Sequence, residues 1–506
     1  MHKILKILSY SVFVLVFGWV CAQLFFQHET DQFLTSIFSE ELDAGSQMRD
    51  LRVIYPDDAL NLEPTSLYPA TRQRLNNIYE PLVKFDRDLN VVPALALSWG
   101  IVDDLTWEFR LRPDVKFQDG SDFDMADVMS SFNRGENREG SELVNFVDSI
   151  DEVEPVDDLT FRIHTKNPDP ILLAKLSNLF IIPSEYEEKE LLMPIGTGPY
   201  RFVAWSQGEL MSLESFEEYW AGEPQFDEVE VATIVDKSQR VNKFLSGEAD
   251  FLAFVPFDAM KILGENNFST KSIPSLEVQF LVFNQESEIF SNEENRQAVS
   301  FAVDQDGLVN VIGGAARPVN QFVSNGVFGF NPDLAKHKYD RKKATELSAA
   351  MNGKTVQFHL PIGLDVLGEQ VRESLKEIGV NVVVSYLDTE RLLESFEQGK
   401  ADLYFLGFRA GTGDSEEFLW DTVHSSGQFN VGNYENSEVD DLIESSTKEM
   451  DPIKRLEMLQ KIMSILDREF FGIPLFEYQT IFSFSDRLSF EPRIDGFLYF
   501  EDLIKK

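Results

Sequence analysis

Residues 353–386 read GKTVQFHLPIGLDVLGEQVRESLKEIGVNVVVSY. Val356–Leu360 reads as a strand and Val366–Ile378 as a helix stopped by Gly379. Val380–Tyr386 reads as a second strand. This is a β-α-β unit, and it sets the fold class as α/β. Working outward, Asp402–Phe408 is another strand, followed by a Gly-rich loop. Asp451-Pro452 starts a helix with an N-cap and a proline in the first turn. Ile453, Leu456, Leu459, Met463, Leu466 and Phe470 then recur at helical spacing, the pattern of a core-facing stripe. Towards the amino end, Leu51–Tyr55 is a short strand ended by Pro56. Thr106–Arg112 alternates with Trp107, Phe109 and Leu111 on one face, and Leu159–His164 does so with Leu159, Phe161 and Ile163. Period-two alternation marks half-buried strands. Both are led in by the same phrase, Val-Asp-Asp-Leu-Thr, at 102–106 and 156–160. β-α-β units plus a hairpin-rich insertion imply more than one lobe.

Composition narrows the function. The chain has 506 residues, long enough for several domains. Its 45 Lys+Arg against 86 Asp+Glu give 45 − 86 = −41. Such a charge excludes a nucleic-acid binder, which needs a basic face, and disfavours adhesion to anionic headgroups. At 43% hydrophobic residues, with 43 Phe, the chain can build cores. A single cysteine excludes an internal disulfide framework and any Cys-rich metal site.

His2, Lys3 and Lys6 precede an uncharged apolar run, Ile7–Phe26. About 20 residues span roughly 30 Å, a hydrocarbon core. Basic residues before it and acidic residues after it put the body outside the cytoplasm. Three readings share that outcome: a retained anchor, a signal cut after Ala22, and lipidation of Cys21 in a poor lipobox. Residues 1–26 are read as the anchor or signal and 27–50 as an acidic tether.

Familiar catalytic patterns are missing. Gly353-Lys354-Thr355 lacks the upstream glycine of a phosphate loop, Ser348 standing in its place. The six histidines are scattered, and His424, the one nearest the Gly-rich loop, has no partner at metal-ligand spacing. No G-x-S-x-G occurs, and Ser445–Lys448 matches S-x-x-K without its companion motifs. The reading is a non-enzyme with no catalytic residue, no metal and no cofactor.

From about residue 51 the chain resembles the family 5 extracellular solute-binding proteins of ABC importers, the oligopeptide, dipeptide and nickel binders. The phrases that carry this, in order, are IYEPLVKFD (78–86), VPALALSW (92–99), FRLRPDVKFQDG (109–120), GTGPYRF (196–202), SGEAD (246–250), RQAVSFAVD (296–304), NYEN (433–436) and IPL (473–475). Gly196-x-Gly198-Pro199-Tyr200 also reads as a turn built for positive φ. The resemblance implies a two-lobed binding-protein fold (type II) with an extra subdomain. One lobe would comprise 51–85, 195–283 and 479–506, the subdomain 86–194, and the other lobe 284–478. Crossings near Phe283-Asn284 and Tyr478-Gln479 would form the hinge for closure around ligand.

Peptide binders of this family are similar in carrying Gly-Trp followed, two residues later, by an acid that pairs with the peptide amine. Here Phe408 replaces the Trp of that pair, Gly411 stands where the acid would be, and Asp414 matches a second acid of some relatives. Arg409, if turned inward, favours a carboxylate or another anion; if turned outward it is a surface residue and Asp414 only caps the loop. Tyr68, Tyr79 and Phe408 are candidate cleft walls or core residues. Phe283 and Asn284, at the expected crossing, complete the candidate ligand-facing set. The implied partners are a peptide or other medium-sized solute, a permease with separate ATPase subunits, and the membrane through residues 7–26, with the protein acting as a monomer. A ligand sensor or chaperone that reuses the fold is the alternative. A surface hydrolase lacks its nucleophile or metal constellation.

Overall fold

The computed structural model describes residues 50–187, 193–312, 315–336 and 339–506. The apolar run 7–26, with its anchor, signal and lipidation readings, and the tether up to residue 49 lie outside the described residues. Among the described residues no helix is long and apolar enough to cross a membrane.

The chain enters through β1 (Asp50–Tyr55), which buries Leu51, Val53, Ile54 and Tyr55. It then builds an antiparallel insert from β2 (Ala96–Asp103), β3 (Thr106–Leu111), β4 (Ile150–Pro155) and β5 (Thr160–Thr165), in the order β2-β3-β5-β4. The alternation seen in the sequence is the reason: Trp107, Phe109, Leu111, Phe161 and Ile163 share one apolar core. Phe109 stacks on Phe161 at 5.2 Å. Helix Met125–Asn137 closes this core with Val128 and Phe132, its first turn held by a capping box between Asp124 and Asp127.

Returning, the chain adds β6 (Tyr200–Ser206), β7 (Leu210–Ser215), β8 (Glu228–Thr233) and β9 (Phe251–Leu252) around β1. β10 (Ser269–Phe283) leaves this half for another, which holds β11 (Ala316–Pro318), β12 (Thr355–Pro361), β13 (Asn381–Leu387) and β14 (Leu403–Arg409). β15 (Gly472–Phe484) runs back. One mixed sheet results, ordered β13-β12-β14-β10-β15-β9-β1-β8-β7-β6, with β11 also paired to β15. The β-α-β unit sits at its far edge. β12 and β13 run parallel with Val356 opposite Val382. Helix Asp365–Lys376 buries Leu367, Val371 and Leu375, and Gly379 ends the segment at φ +83°.

β10 and β15 are the two crossings. Ser269–Pro274 pair with Phe484–Gln479 in the first half, and Val278–Val282 with Glu477–Gly472 in the second. Between them the register breaks at Ser275, Leu276 and Glu277, where Leu276 is held at φ +60°. A left-handed backbone at a bulky residue is strained. The break lies well before Phe283-Asn284, the pair at which the sequence suggests a crossing. Each half has its own apolar clusters, one around Tyr55, Phe251 and Phe482, the other around Phe283, Phe358 and Leu475.

Two details differ from the sequence expectations. Gly196 and Gly198 do not adopt positive φ. They are needed for close approach, since a Cβ on Gly196 would stand 2.0 Å from the Ile78 carbonyl oxygen. In helix Pro452–Arg468 the stripe is rotated at its start: Ile453 is 70% exposed, while Arg455 is buried. Arg455 turns inward because its guanidinium forms a two-point pair with Asp414, at 2.5 and 2.9 Å.

The C-terminal segment is fastened to the helix Pro69–Leu75 and the turn after it. Gln73 donates to the Gly496 carbonyl and accepts from the Leu498 N–H. Asn77 donates to the Leu498 carbonyl and accepts from the Phe500 N–H.

Candidate functional site

A cavity of about 510 Å³, counting its open mouth, lies where the two halves meet. Asp57, Gln73, Phe254, Thr480 and Asp495 reach it from the first half; Glu277 and Arg409 reach it from the second. Each element delivers its side chain for a local reason. Pro69 starts the helix that carries Gln73, and the tie to the C-terminal segment fixes Gln73's amide. Arg409 is the last residue of β14 and stands directly opposite Glu277 in the ladder. The Glu277 N–H donates to Ser275 Oγ at 3.3 Å, closing the strained turn that ends at this residue.

The charges at the cavity floor are unevenly matched. Arg409 Nη2 donates to the Asp495 carbonyl oxygen at 2.6 Å, so the guanidinium reaches from one half to the other. Burial pushes the Arg409 pKa down, and the charges of Glu277 and Asp495 oppose that. Asp495 pairs with Arg493 at 3.2 Å, and burial still raises its carboxyl. Glu277 is 2% exposed and accepts one hydrogen bond on its carboxylate, from Gln279 Nε2 at 2.6 Å. Among the described residues no cation stands within ion-pairing distance of it. Burial pushes it up to about 7, against the pull of Arg409 and Gln279.

The sequence candidates divide. Arg409 turns into the cavity. Tyr68 sits half-buried next to the lining residue Pro69, its hydroxyl pKa raised by burial and by Asp57. The others lie elsewhere. Tyr79 is buried against Phe180, rings 5.5 Å apart. Phe283 packs on Phe290 at 4.7 Å in the second half's core. Asn284 donates to the Ala401 carbonyl and accepts from Asn433. Phe408 points to the face opposite Arg409 and meets Phe418 at 5.5 Å. Asp414 is taken by Arg455 and by the Glu416 N–H, which it caps. Among the described residues no cluster of metal-ligating side chains occurs. His424 stacks on Trp420 at 4.7 Å.

Sequence reasoning missed Glu277, Gln73, Asp57, Phe254, Thr480 and Asp495. One signal was available. Glu277 is the one charged residue in the mostly apolar strand segment SLEVQFLVF (275–283), where a solvated charge has no place.

Residues 90–430 match the family model described as bacterial extracellular solute-binding proteins, family 5 Middle. The glutathione-binding protein GsiB of Pectobacterium atrosepticum is 31% identical over 418 residues, which cover 77% of this chain and 81% of that one. GsiB of Escherichia coli is 25% identical over 468 residues, covering 87% and 91%. Among solved structures, HbpA2 from Haemophilus parasuis superposes with a TM-score of 0.83 at 21% identity, over 90% of this chain and 100% of that one. NikA from Brucella suis, in complex with Fe(III)-EDTA, gives 0.81 at 23% identity, over 90% and 100%. At these identities the two structures speak to the fold.

Proposed function

Since the chain belongs to the bacterial extracellular solute-binding proteins of family 5 and is the substrate-binding component of an ABC importer, we propose that its solute is a short peptide or peptide-like zwitterion. The observation that carries this is the pair Glu277 and Arg409. They are opposite charges directly across from each other on adjacent strands, both lining the cavity between the halves; each feels the other's charge, but the two form no ion pair at contact distance. In a site that excludes water each charge demands a counter-charge. A ligand with both an ammonium and a carboxylate supplies both; a neutral sugar supplies neither. The GsiB relatives are named for glutathione, a tripeptide carrying both charges.

In this reading the halves are the expected lobes with the boundary moved from Phe283 to the break in the ladder, 51–85 with 195–274 and 479–506, and 277–478, with 86–194 as the extra subdomain. They hinge at the strained break Ser275–Glu277 and its partner Glu477–Gln479. The protein acts by binding rather than catalysis, and as a monomer, because one chain supplies both walls of the site. The uncharged run 7–26, with its basic flank, tethers it to the membrane from outside the cytoplasm.

Calorimetric titration of the full chain with reduced glutathione, trialanine and maltotriose tests the solute class. Binding of at least one peptide and none of the sugar is expected. Binding of maltotriose alone, or of none of the three, defeats the peptide reading. Alkaline extraction of membranes tests the tether, which should hold the chain in the pellet.

A further inference from the structure

Resting on the peptide reading, we propose that Glu277 is the residue that receives the ligand's ammonium group, while Arg409 takes its carboxylate. A carboxylate offers about four acceptor positions. That of Glu277 has one filled, by Gln279. The side chain is nearly inaccessible to solvent in general and yet lines the cavity. Its neighbour in the ladder, Arg409, is engaged with the Asp495 carbonyl across the cleft. A buried carboxylate left this way is disfavoured unless something pairs with it, and Glu277 lines the cavity from which a partner would come.

The backbone supports the same assignment. The turn that ends at Glu277 keeps Leu276 in a strained conformation and breaks the ladder between the crossing strands. Strain of this kind persists where the surrounding structure enforces it and gathers at ligand-handling sites. Around the open face stand Thr480 and Phe254, one polar group and one apolar wall; Gln73 beside them is already held by Tyr55, Gly496 and Leu498.

Binding is then linked to protonation. The charged groups facing Glu277 are Arg409 on β14, Asp495 with Arg493 behind it on the C-terminal segment, and Asp57 beyond β1. Glu477, on β15, is already engaged by Arg317 and Ser324. With the Glu277 carboxyl raised to about 7, an ammonium must hold it in the charged form. Affinity should therefore fall as the pH drops from roughly 8 to 6.

The test uses the full chain, reduced glutathione and trialanine, and the N-acetylated form of each. In the wild type, acetylation should cost about tenfold or more in affinity. Glu277→Gln should lose a similar factor for the free amines, bind both forms alike and show a flat pH profile. Glu277→Asp, which keeps the charge, should retain part of the preference and serves if the Gln variant does not fold. Indifference of the wild type to acetylation would overturn the proposal. So would a folded Glu277→Gln variant that still prefers the free amine. If the wild type binds neither peptide in either form, the peptide reading itself fails and the anchor falls with it.

Discussion

Glu80 and Glu277 are both buried carboxylates, and the regions around them have little else in common. Glu80 accepts three hydrogen bonds, from Thr197 Oγ1 at 2.9 Å, Tyr219 Oη at 2.9 Å and Trp220 Nε1 at 2.8 Å. Those donors come from far along the chain and tie the strands after the insert to the first half. Arg112 lies over the Trp220 ring at 3.8 Å and extends the knot into the insert. Glu277 has Gln279 and an open cavity. Burial raises both carboxyls. The two differ in how far the acceptor is satisfied rather than in depth: Glu80 is held by three donors, Glu277 by one.

The comparison is most exposed at Glu80. Glu80→Ala leaves three buried donors without an acceptor and should cost about 3–5 kcal/mol in urea unfolding. A loss below about 1 kcal/mol would break the contrast. Next comes Arg455→Met, which strips Asp414 and Glu416 of their shared cation. It should destabilise by about 3 kcal/mol and leave peptide binding unchanged, because neither acid lines the cavity.

A smaller effect sharpens the contrast through pH. Burial raises Glu277 and Glu416 to about 7, Glu417 to about 8 and Asp421 to about 6. Folded carboxyls with raised pKa bind more protons than the unfolded chain does. Their stabilisation is therefore complete below the unfolded values and is lost as pH rises through about 6–8. The melting temperature of the ligand-free protein should rise by a few degrees between roughly pH 8 and pH 6. A fall over that interval would contradict the assignment. The smallest expected change is in the stability of Glu277→Gln near pH 8. It should match the wild type within about 1 kcal/mol or exceed it, since the amide removes a charge that burial disfavours.

Much of the scaffold was legible because it rests on local rules. The β-α-β unit follows from apolar runs and a glycine stop, and the alternating strands of the insert pack on the faces their periodicity dictates. Where reading failed, a long-range partner decided. Arg455 displaces Ile453 from the buried face because Asp414 waits for it. Gly196 is required by the Ile78 carbonyl, which the turn pattern does not reveal. The inward orientation of Arg409 was open in the sequence and is decided by the Asp495 carbonyl. Phe283 and Phe408 went to cores because an aromatic near a strand end carries no local sign of which face it takes, and Tyr79, in the turn after the helix Pro69–Leu75, did the same. The cavity draws on residues 57, 73, 277, 409 and 495, separated by so much chain that no motif unites them.

The fastening of Gln73 and Asn77 to residues 496–500 has a consequence in time. Those bonds join positions 421 to 425 residues apart. At about 5–20 residues per second, roughly 20–85 s of synthesis separates the two sides of the stitch. Throughout that interval the first half lacks its closing segment, and its core cannot be completed. An extracytoplasmic protein has to be threaded across a membrane, and a chain whose beginning waits for its end stays threadable until its last residues have been made.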